Sequence, residues 1–325
     1  MALVDSYGRK INYLRLSVTD RCNLRCSYCM PAQGVPKISC GEVLRYEELL
    51  EMAAAAVRVG IEKIRVTGGE PLVRKGLPAF LKQLAALPGL RELVLTTNGM
   101  LLAERAPALK AAGVQRLNIS LDSLRPETFA NITRGGELAK VLAGIAAAET
   151  VGFPIKLNMV VMRGVNDDEV ADFAALTLDK PFAVRFIEFM PAARTEDYRS
   201  LLVSGREILA ALARRFRIEP GERGDLCGPS QNFRISGAAG TLGLIAPLSG
   251  HFCGDCNRLR VTSTGTARSC LFGSDVVDLK PLLTGGDAAA LEQAIGNLVE
   301  QKPGGHRLDE STLTPKPFAM ATIGG

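Results

Sequence analysis

Cysteine is the residue type whose spacing says most about what this chain could do. Cys22, Cys26 and Cys29 form a C-x3-C-x2-C run near the start, and Cys253, Cys256 and Cys270 form a C-x2-C-x13-C run near the end. Thiolates are soft ligands that select zinc, copper(I) or iron–sulfur clusters. A structural zinc site takes four closed ligands, and with only His251 and His306 in the chain a mixed Cys/His set is hard to assemble. A cubane cluster held by three thiolates leaves one iron open to a small molecule, and the x3-then-x2 spacing lets a tight loop wrap three of its corners. The second run, taken alone, also reads as a zinc ribbon with Cys227 as the fourth ligand. Cys40 and Cys227 otherwise match no ligand position and read as ordinary thiols.

Other chemistries find few residues here. There is no G-x4-G-K-[ST] run, so nucleotide binding cannot rest on a P-loop. Two histidines leave little for a Ser-His-Asp nucleophile. Lys plus Arg is 39 against 34 for Asp plus Glu, and the surplus of +5 is too small for bulk attraction to nucleic acid, although it permits a local anionic pocket. No apolar run nears the roughly 18 residues that span a bilayer. Met1-Ala2-Leu3-Val4-Asp5 shows neither a basic n-region nor an apolar h-region. Eight cysteines in 325 residues are too sparse for a disulfide scaffold, which suits a reducing compartment. The expectation is a cytoplasmic protein with no membrane and no nucleic-acid partner.

The elements that must position the cysteines show as alternation. Strand-like runs occur at Leu14–Val18, Lys63–Thr67, Glu92–Thr96, Arg116–Ser120, Lys156–Val161 and Val184–Phe189. Helical periodicity follows each strand: over Tyr46–Val59, Leu77–Leu87, Glu104–Ala112, two stretches ending near Ala148, Glu169–Leu178 and Glu207–Phe216. Six β-then-α units predict a parallel sheet with crossover helices. They are too few for an eight-strand barrel, so the α/β fold expected over residues 1–216 is an open partial (β/α)6 TIM-like barrel. Residues 217–325 break into short strands and Gly/Pro-rich turns, and read as a smaller C-terminal α+β region carrying the second cysteine group. In such barrels chemistry gathers where the βα loops converge. The first cysteine group follows the first strand, Gly68-Gly69-Glu70-Pro71 the second and Thr96-Thr97-Asn98-Gly99 the third. Ser120 and Asp122 follow the fourth, and Met190-Pro191 the sixth.

Cys22-Asn23-Leu24-Arg25-Cys26-Ser27-Tyr28-Cys29 resembles the signature of the radical S-adenosylmethionine (SAM) enzymes, and Gly68-Gly69-Glu70-Pro71 matches that family's methionine-binding turn. Asp20-Arg21-Cys22-Asn23, the run Arg65–Pro71, the run Arg185–Met190, Phe252-Cys253-x2-Cys256-Asn257-Arg258-Leu259-Arg260 and Gly324-Gly325 narrow the resemblance, nearly end to end, to the GTP 3′,8-cyclases of molybdenum cofactor biosynthesis. The resemblance implies two [4Fe–4S] clusters, one on Cys22, Cys26 and Cys29 that binds S-adenosyl-L-methionine, the other on Cys253, Cys256 and Cys270 with an open iron that takes a guanine nitrogen of GTP. It further implies that Gly69 and Glu70 meet the methionine end, Ser120 the carboxylate or ribose region, and Tyr28 and Met190 the adenine side. A 5′-deoxyadenosyl radical then removes hydrogen from C3′, and the sugar radical attacks C8.

The same resemblance assigns Arg15, Arg65, Thr96, Lys156, Arg258 and Arg260 to GTP, and Gly324 and Gly325 to the active site as a tail able to approach closely. Arg suits phosphate through its bidentate fork. The i, i+2 spacing puts Arg258 and Arg260 on one strand face. A barrel interior holding Arg15, Arg65 and Lys156 needs compensating anions, which a triphosphate supplies. The partners implied are GTP, a one-electron reductant and a cyclic pyranopterin monophosphate synthase (MoaC in the family), with monomer and homodimer both open. Two competing readings stand beside this one: a radical SAM peptide-modifying enzyme with an auxiliary cluster, and a non-catalytic zinc-ribbon binding protein.

Overall fold

The computed structural model describes residues 3–36, 38–39, 41–191, 198–222, 224, 226, 228–250, 252–273, 276–306 and 319–323. The chain runs β1 (Tyr13–Ser17), α1 (Tyr46–Arg58), β2 (Lys63–Thr67), α2 (Leu77–Ala85), β3 (Glu92–Thr97), α3 (Leu102–Ala111) and β4 (Arg116–Ser120). It continues through α4 (Pro126–Thr133), α5 (Leu138–Thr150), β5 (Ile155–Val161), α6 (Val170–Asp179), β6 (Ala183–Glu188), α7 (Tyr198–Leu201) and α8 (Gly205–Ala213). Then come β7 (Ile218–Pro220), β8 (Gln231–Ile235), β9 (Thr241–Ile245), β10 (Arg258–Val261), β11 (Thr266–Arg268), β12 (Val276–Asp278), α9 (Lys280–Gly285) and α10 (Ala288–Glu300).

The six expected strands are present and pair in parallel from β1 to β6, as crossover helices require. The barrel is open. Its sheet runs β12-β11-β10-β1-β2-β3-β4-β5-β6-β9-β8-β7, with β12 and β7 at the two edges. The C-terminal strands therefore extend the same sheet on both sides: β10 pairs parallel with β1, and β9 parallel with β6. Bare β1 and β6 edges would expose rows of unpaired N–H and C=O groups, and these short strands cover them.

Alternation along the strands sorts the side chains into two environments. On β1, Leu14 and Leu16 face the helices in the main apolar cluster, and on β2 and β3 Ile64, Val66, Leu93 and Leu95 do the same. Helix α1 meets that layer with Leu49, Met52, Ala53 and Ala56, an i, i+3, i+4, i+7 face that is fully buried. The intervening residues, Tyr13 and Arg15 on β1, Arg65 and Thr67 on β2, and Thr96 on β3, line a cleft inside the barrel. Apolar burial at about 25 cal/mol per Å² of surface drives the outer layer together, while the inner face is left polar and charged.

Candidate active site

All six cysteines of the two runs line one cleft. They reach it from opposite ends of the strands. Cys22 follows the C-terminal end of β1, whereas Cys253 and Cys256 lie on a 3-10 turn and its cap just before β10. Because β10 runs parallel to β1 with Arg258 level with Tyr13, the second group enters beside the start of β1. The four residue steps from Tyr13 to Ser17 span about 13 Å at a strand rise of about 3.3 Å. A nucleotide-sized space thus separates the groups.

The first group is held by the glycine turn. Gly69 N–H donates to Thr19 O at 2.7 Å and Glu70 N–H to Arg21 O at 2.8 Å, tying the turn to the segment that leads into Cys22. The approach is as close as backbone allows: a Cβ on Gly68 would lie 2.6 Å from Thr19 O. Glu70 is buried and accepts from Asn98 N–H at 2.7 Å, Thr97 Oγ1 at 2.8 Å and Leu72 N–H at 3.0 Å. Burial nonetheless pushes its carboxyl up to about 7. The Tyr28 hydroxyl donates to Asp122 Oδ2 at 2.8 Å, and Val160 N–H donates to Oδ1 at 2.9 Å. Met320 N–H donates to Cys29 O at 3.0 Å, so the tail docks on the first cysteine loop. Gly324 and Gly325 lie outside the described residues, as do Cys40, Cys227 and His251.

The second group is held from a distance. Arg9, 8% exposed, donates to Cys253 O at 2.7 Å, Pro303 O at 2.7 Å and Gly304 O at 3.2 Å, and pairs with Asp5 at 2.6 Å. Lys302 Nζ donates to Arg258 O at 2.9 Å and to Ser269 O. Burial raises the Cys256 thiol, but Arg258 and Lys302 outweigh it and bring the thiol down to about 6, where it is largely thiolate at neutral pH. Arg9→Ala removes the charged partner of buried Asp5, which keeps only the Tyr7 and Arg9 N–H groups, and frees three carbonyls. The expected result is a loss of about 3 kcal/mol in denaturant unfolding.

Between the groups lies a floor of positive charge. Arg260, Arg15 and Arg65 are in register across β10, β1 and β2, an arrangement of like charges that destabilises a sheet. Burial, then Arg260 and Arg65, push Arg15 well below the usual guanidinium range, and burial with Arg258 brings Arg260 down to about 9. Glu92 answers part of this, pairing with Lys63 at 2.6 Å and with Arg116. With its amide oxygen turned toward Arg65, Asn118 accepts two bonds at 3.2 Å.

The cleft also gathers Tyr28, Gly69, Glu70, Ser120, Met190, Thr96, Arg258 and Arg260. Lys156 is the exception: it lines a neighbouring pocket that shares Arg185 with the cleft. Burial, with Arg185, Arg116, Lys63 and Arg65 adding to it, pushes the Lys156 amine down to about 6, a shift that an arriving polyanion reverses. Two further groups, Arg185 and Glu188 of the run Arg185–Met190, line the cleft without a role visible in the sequence. Glu188, fully buried, accepts from Gly205, Leu248 and Ser249 N–H and so fixes the loop that precedes Cys253.

The donor sets fit iron–sulfur clusters. Each is three free, partly buried thiols. Among the described residues no three Cys, His, Asp or Glu side chains converge closely enough to hold a single metal ion, whereas a cluster takes its thiolates at separate corners. The Thr96 and Ser269 hydroxyls, both on the cleft, are buried without a hydrogen-bond partner among the described residues, as groups awaiting a ligand would be.

Comparison with known proteins bears on these features. The Radical SAM superfamily profile matches residues 16–177, and the Molybdenum Cofactor Synthesis C profile matches residues 182–308. A GTP 3′,8-cyclase of Geobacter sulfurreducens is 62% identical over 326 residues, covering 100% of both chains. One from Peptoclostridium acidaminophilum is 48% identical, covering 99% of this chain and 98% of its own. Among solved structures, Streptococcus suis SuiB bound to S-adenosylmethionine superposes with a TM-score of 0.59 at 13% identity, over 89% of this chain and 69% of that one, a likeness of fold. Among the described residues no helix is long and apolar enough to cross a membrane.

Proposed function

Because the chain belongs to the GTP 3′,8-cyclase family of radical SAM enzymes, we propose that it cyclises GTP to (8S)-3′,8-cyclo-7,8-dihydroguanosine 5′-triphosphate, the first step of molybdenum cofactor biosynthesis. The observation that carries this reading is the placing of two cysteine triads at opposite ends of one cleft with an in-register row of arginines between them. Cys22, Cys26 and Cys29 hold a [4Fe–4S] cluster that, when bound, supplies the electron cleaving S-adenosylmethionine to methionine and a 5′-deoxyadenosyl radical. Cys253, Cys256 and Cys270 would hold a second cluster, which would bind a guanine nitrogen of GTP.

The protein's own work is orientation. Gly69 and Glu70 meet the methionine end of S-adenosylmethionine, with Ser120, Met190 and Tyr28 along its nucleoside. Asp122 fixes the Tyr28 ring through the 2.8 Å bond to its hydroxyl. Arg15, Arg65, Arg258 and Arg260, with Thr96, bind GTP; Lys156 joins them through Arg185 when the phosphates are present. Held by both ends, the ribose presents C3′ to the first triad, and such fixed placement is worth a large part of the barrier. Residues 1–216 form the radical SAM partial barrel, which also contributes Arg15, Arg65, Thr96 and Lys156 to GTP, and residues 217–325 form the region of the second cluster with Arg258 and Arg260. Gly324 and Gly325 are assigned to the active site on the family resemblance alone. The working partners are a one-electron reductant and a cyclic pyranopterin monophosphate synthase, in the cytoplasm.

The test is turnover under anaerobic conditions with GTP, S-adenosylmethionine and a strong reductant. The expected outcome is 5′-deoxyadenosine together with an isomer of GTP separable by chromatography; 5′-deoxyadenosine alone, at a rate indifferent to GTP, overturns the reading. Arg260→Ala is expected to weaken GTP binding at least about tenfold, since a charge-assisted bond is worth about 1.5–3 kcal/mol, with iron content unchanged. Equal affinity in the variant removes Arg260 from the phosphate site.

A further inference from the structure

Tyr13 is an aromatic residue on the cationic floor of the cleft for which the family resemblance offers no role. It opens β1, level with Lys63 on β2 and Arg258 on β10. Its ring is 1% exposed, with Lys63 Nζ at 4.9 Å and Arg65 Cζ at 5.3 Å from the ring centroid. Those contacts explain an aromatic ring, since cations favour its face. They do not explain the hydroxyl. Phenylalanine would pack equally well, and a buried hydroxyl without a partner costs free energy. The Tyr13 hydroxyl has no partner among the described residues, yet the residue lines the cleft.

The surroundings state what that partner must be. Lys63 Nζ already donates to Leu226 O at 2.8 Å and pairs with Glu92; Arg65 is turned to Asn118. The two charged groups set against the ring, Lys63 and Arg65, are positively charged donors, and the fitting partner for the hydroxyl is an acceptor with a negative charge. Arg65, Arg15, Lys63 and Arg258 together draw the phenol down to about 8 although burial opposes them, a measure of how strongly this spot favours an anion.

We propose that Tyr13 is a further substrate-binding residue, its hydroxyl donating a hydrogen bond to a phosphate oxygen of bound GTP. This rests on the GTP reading given above. The other acceptors of a nucleotide, the guanine carbonyl and ring nitrogens and the ribose oxygens, are neutral and do not answer the clustered positive charge.

The experiment measures binding to reconstituted wild-type and Tyr13→Phe protein of three probes: GTP, inorganic tripolyphosphate and S-adenosylmethionine. Phe keeps the ring, so iron content and melting temperature should hold. GTP and tripolyphosphate should both bind about tenfold more weakly, as loss of a bond to a charged group predicts, with S-adenosylmethionine unchanged. A merely structural role would not divide the probes in this way. Unchanged affinities for GTP and tripolyphosphate overturn the proposal, as does a loss confined to GTP, which would put the hydroxyl on the base or ribose. If wild-type protein binds neither phosphate compound, the GTP reading itself fails and Tyr13 with it, a result distinguishable because it appears before any substitution.

Discussion

Cys253→Ala is expected to lose about half of the bound iron and at least about a hundredfold in GTP cyclisation, while cleavage of S-adenosylmethionine continues without coupling to product. The separation of the two effects follows from how each triad is held. The first rests on the Gly69 N–H to Thr19 O and Glu70 N–H to Arg21 O bonds. The second rests on Arg9 and Lys302, which donate to Cys253 O, Arg258 O and Ser269 O. No hydrogen bond named for one support belongs to the other. On the function proposed above, removing one thiolate of three therefore costs the second cluster and leaves the first. Iron and sulfide quantitation, 5′-deoxyadenosine and cyclised product measured together decide the matter, with circular dichroism confirming the fold. Wild-type cyclisation in Cys253→Ala would remove the second triad from the substrate site.

The barrel strands are legible in the sequence because their two faces meet different surroundings. Leu14 and Leu16 alternate with Arg15, and Ile64 and Val66 with Lys63 and Arg65, so period two is written in the residue types. Strands β9 and β10 are not legible in this way. Their partners β6 and β1 lie far away in the chain, so neither their direction nor their place in the barrel sheet leaves a local trace, even though the i, i+2 arginines already mark β10 as a strand. The cysteine groups are visible from spacing alone; their supports are not. Arg9 reads as an ordinary loop arginine until the fold sets it against Cys253 O, 244 residues away. Asp122 stands on the predicted rim, but its link to Tyr28 spans 94 residues. Tyr13 precedes the strand expected over Leu14–Val18, and only in the fold does its hydroxyl, without a partner among the described residues, mark it.

Gly69→Ala is expected to reduce S-adenosylmethionine binding and cleavage by about a hundredfold or more, because a displacement near 1 Å at a reacting centre costs about that much. A Cβ on Gly69 would sit 2.3 Å from Arg21 O, 2.6 Å from Arg21 C and 2.7 Å from Asp20 O. Ordinary carbon contacts begin near 3.4 Å, and the obstacle is backbone, which cannot swing aside as a side chain does. About 1 Å must therefore open between the turn and the segment Thr19–Arg21. That gap breaks the two bonds holding the turn to the loop of Cys22, and moves Glu70 away from Asn98 and Thr97. The global cost should stay within the about 1–3 kcal/mol typical of overpacking, so the variant folds while its first site fails. Gly296→Ala supplies the contrast. That glycine lies within α10, where an added methyl group would meet nothing within 4 Å, and the same extra carbon should stabilise the helix by up to about 1 kcal/mol. Equilibrium binding of S-adenosylmethionine, thermal melting and iron content on the two variants test the contrast directly. Cleavage by Gly69→Ala within about threefold of wild type, less than about 1 kcal/mol in barrier, would show that the turn does not position the methionine end. The same small change, set at two glycines, thus separates a residue kept bare for a ligand's sake from one that is not.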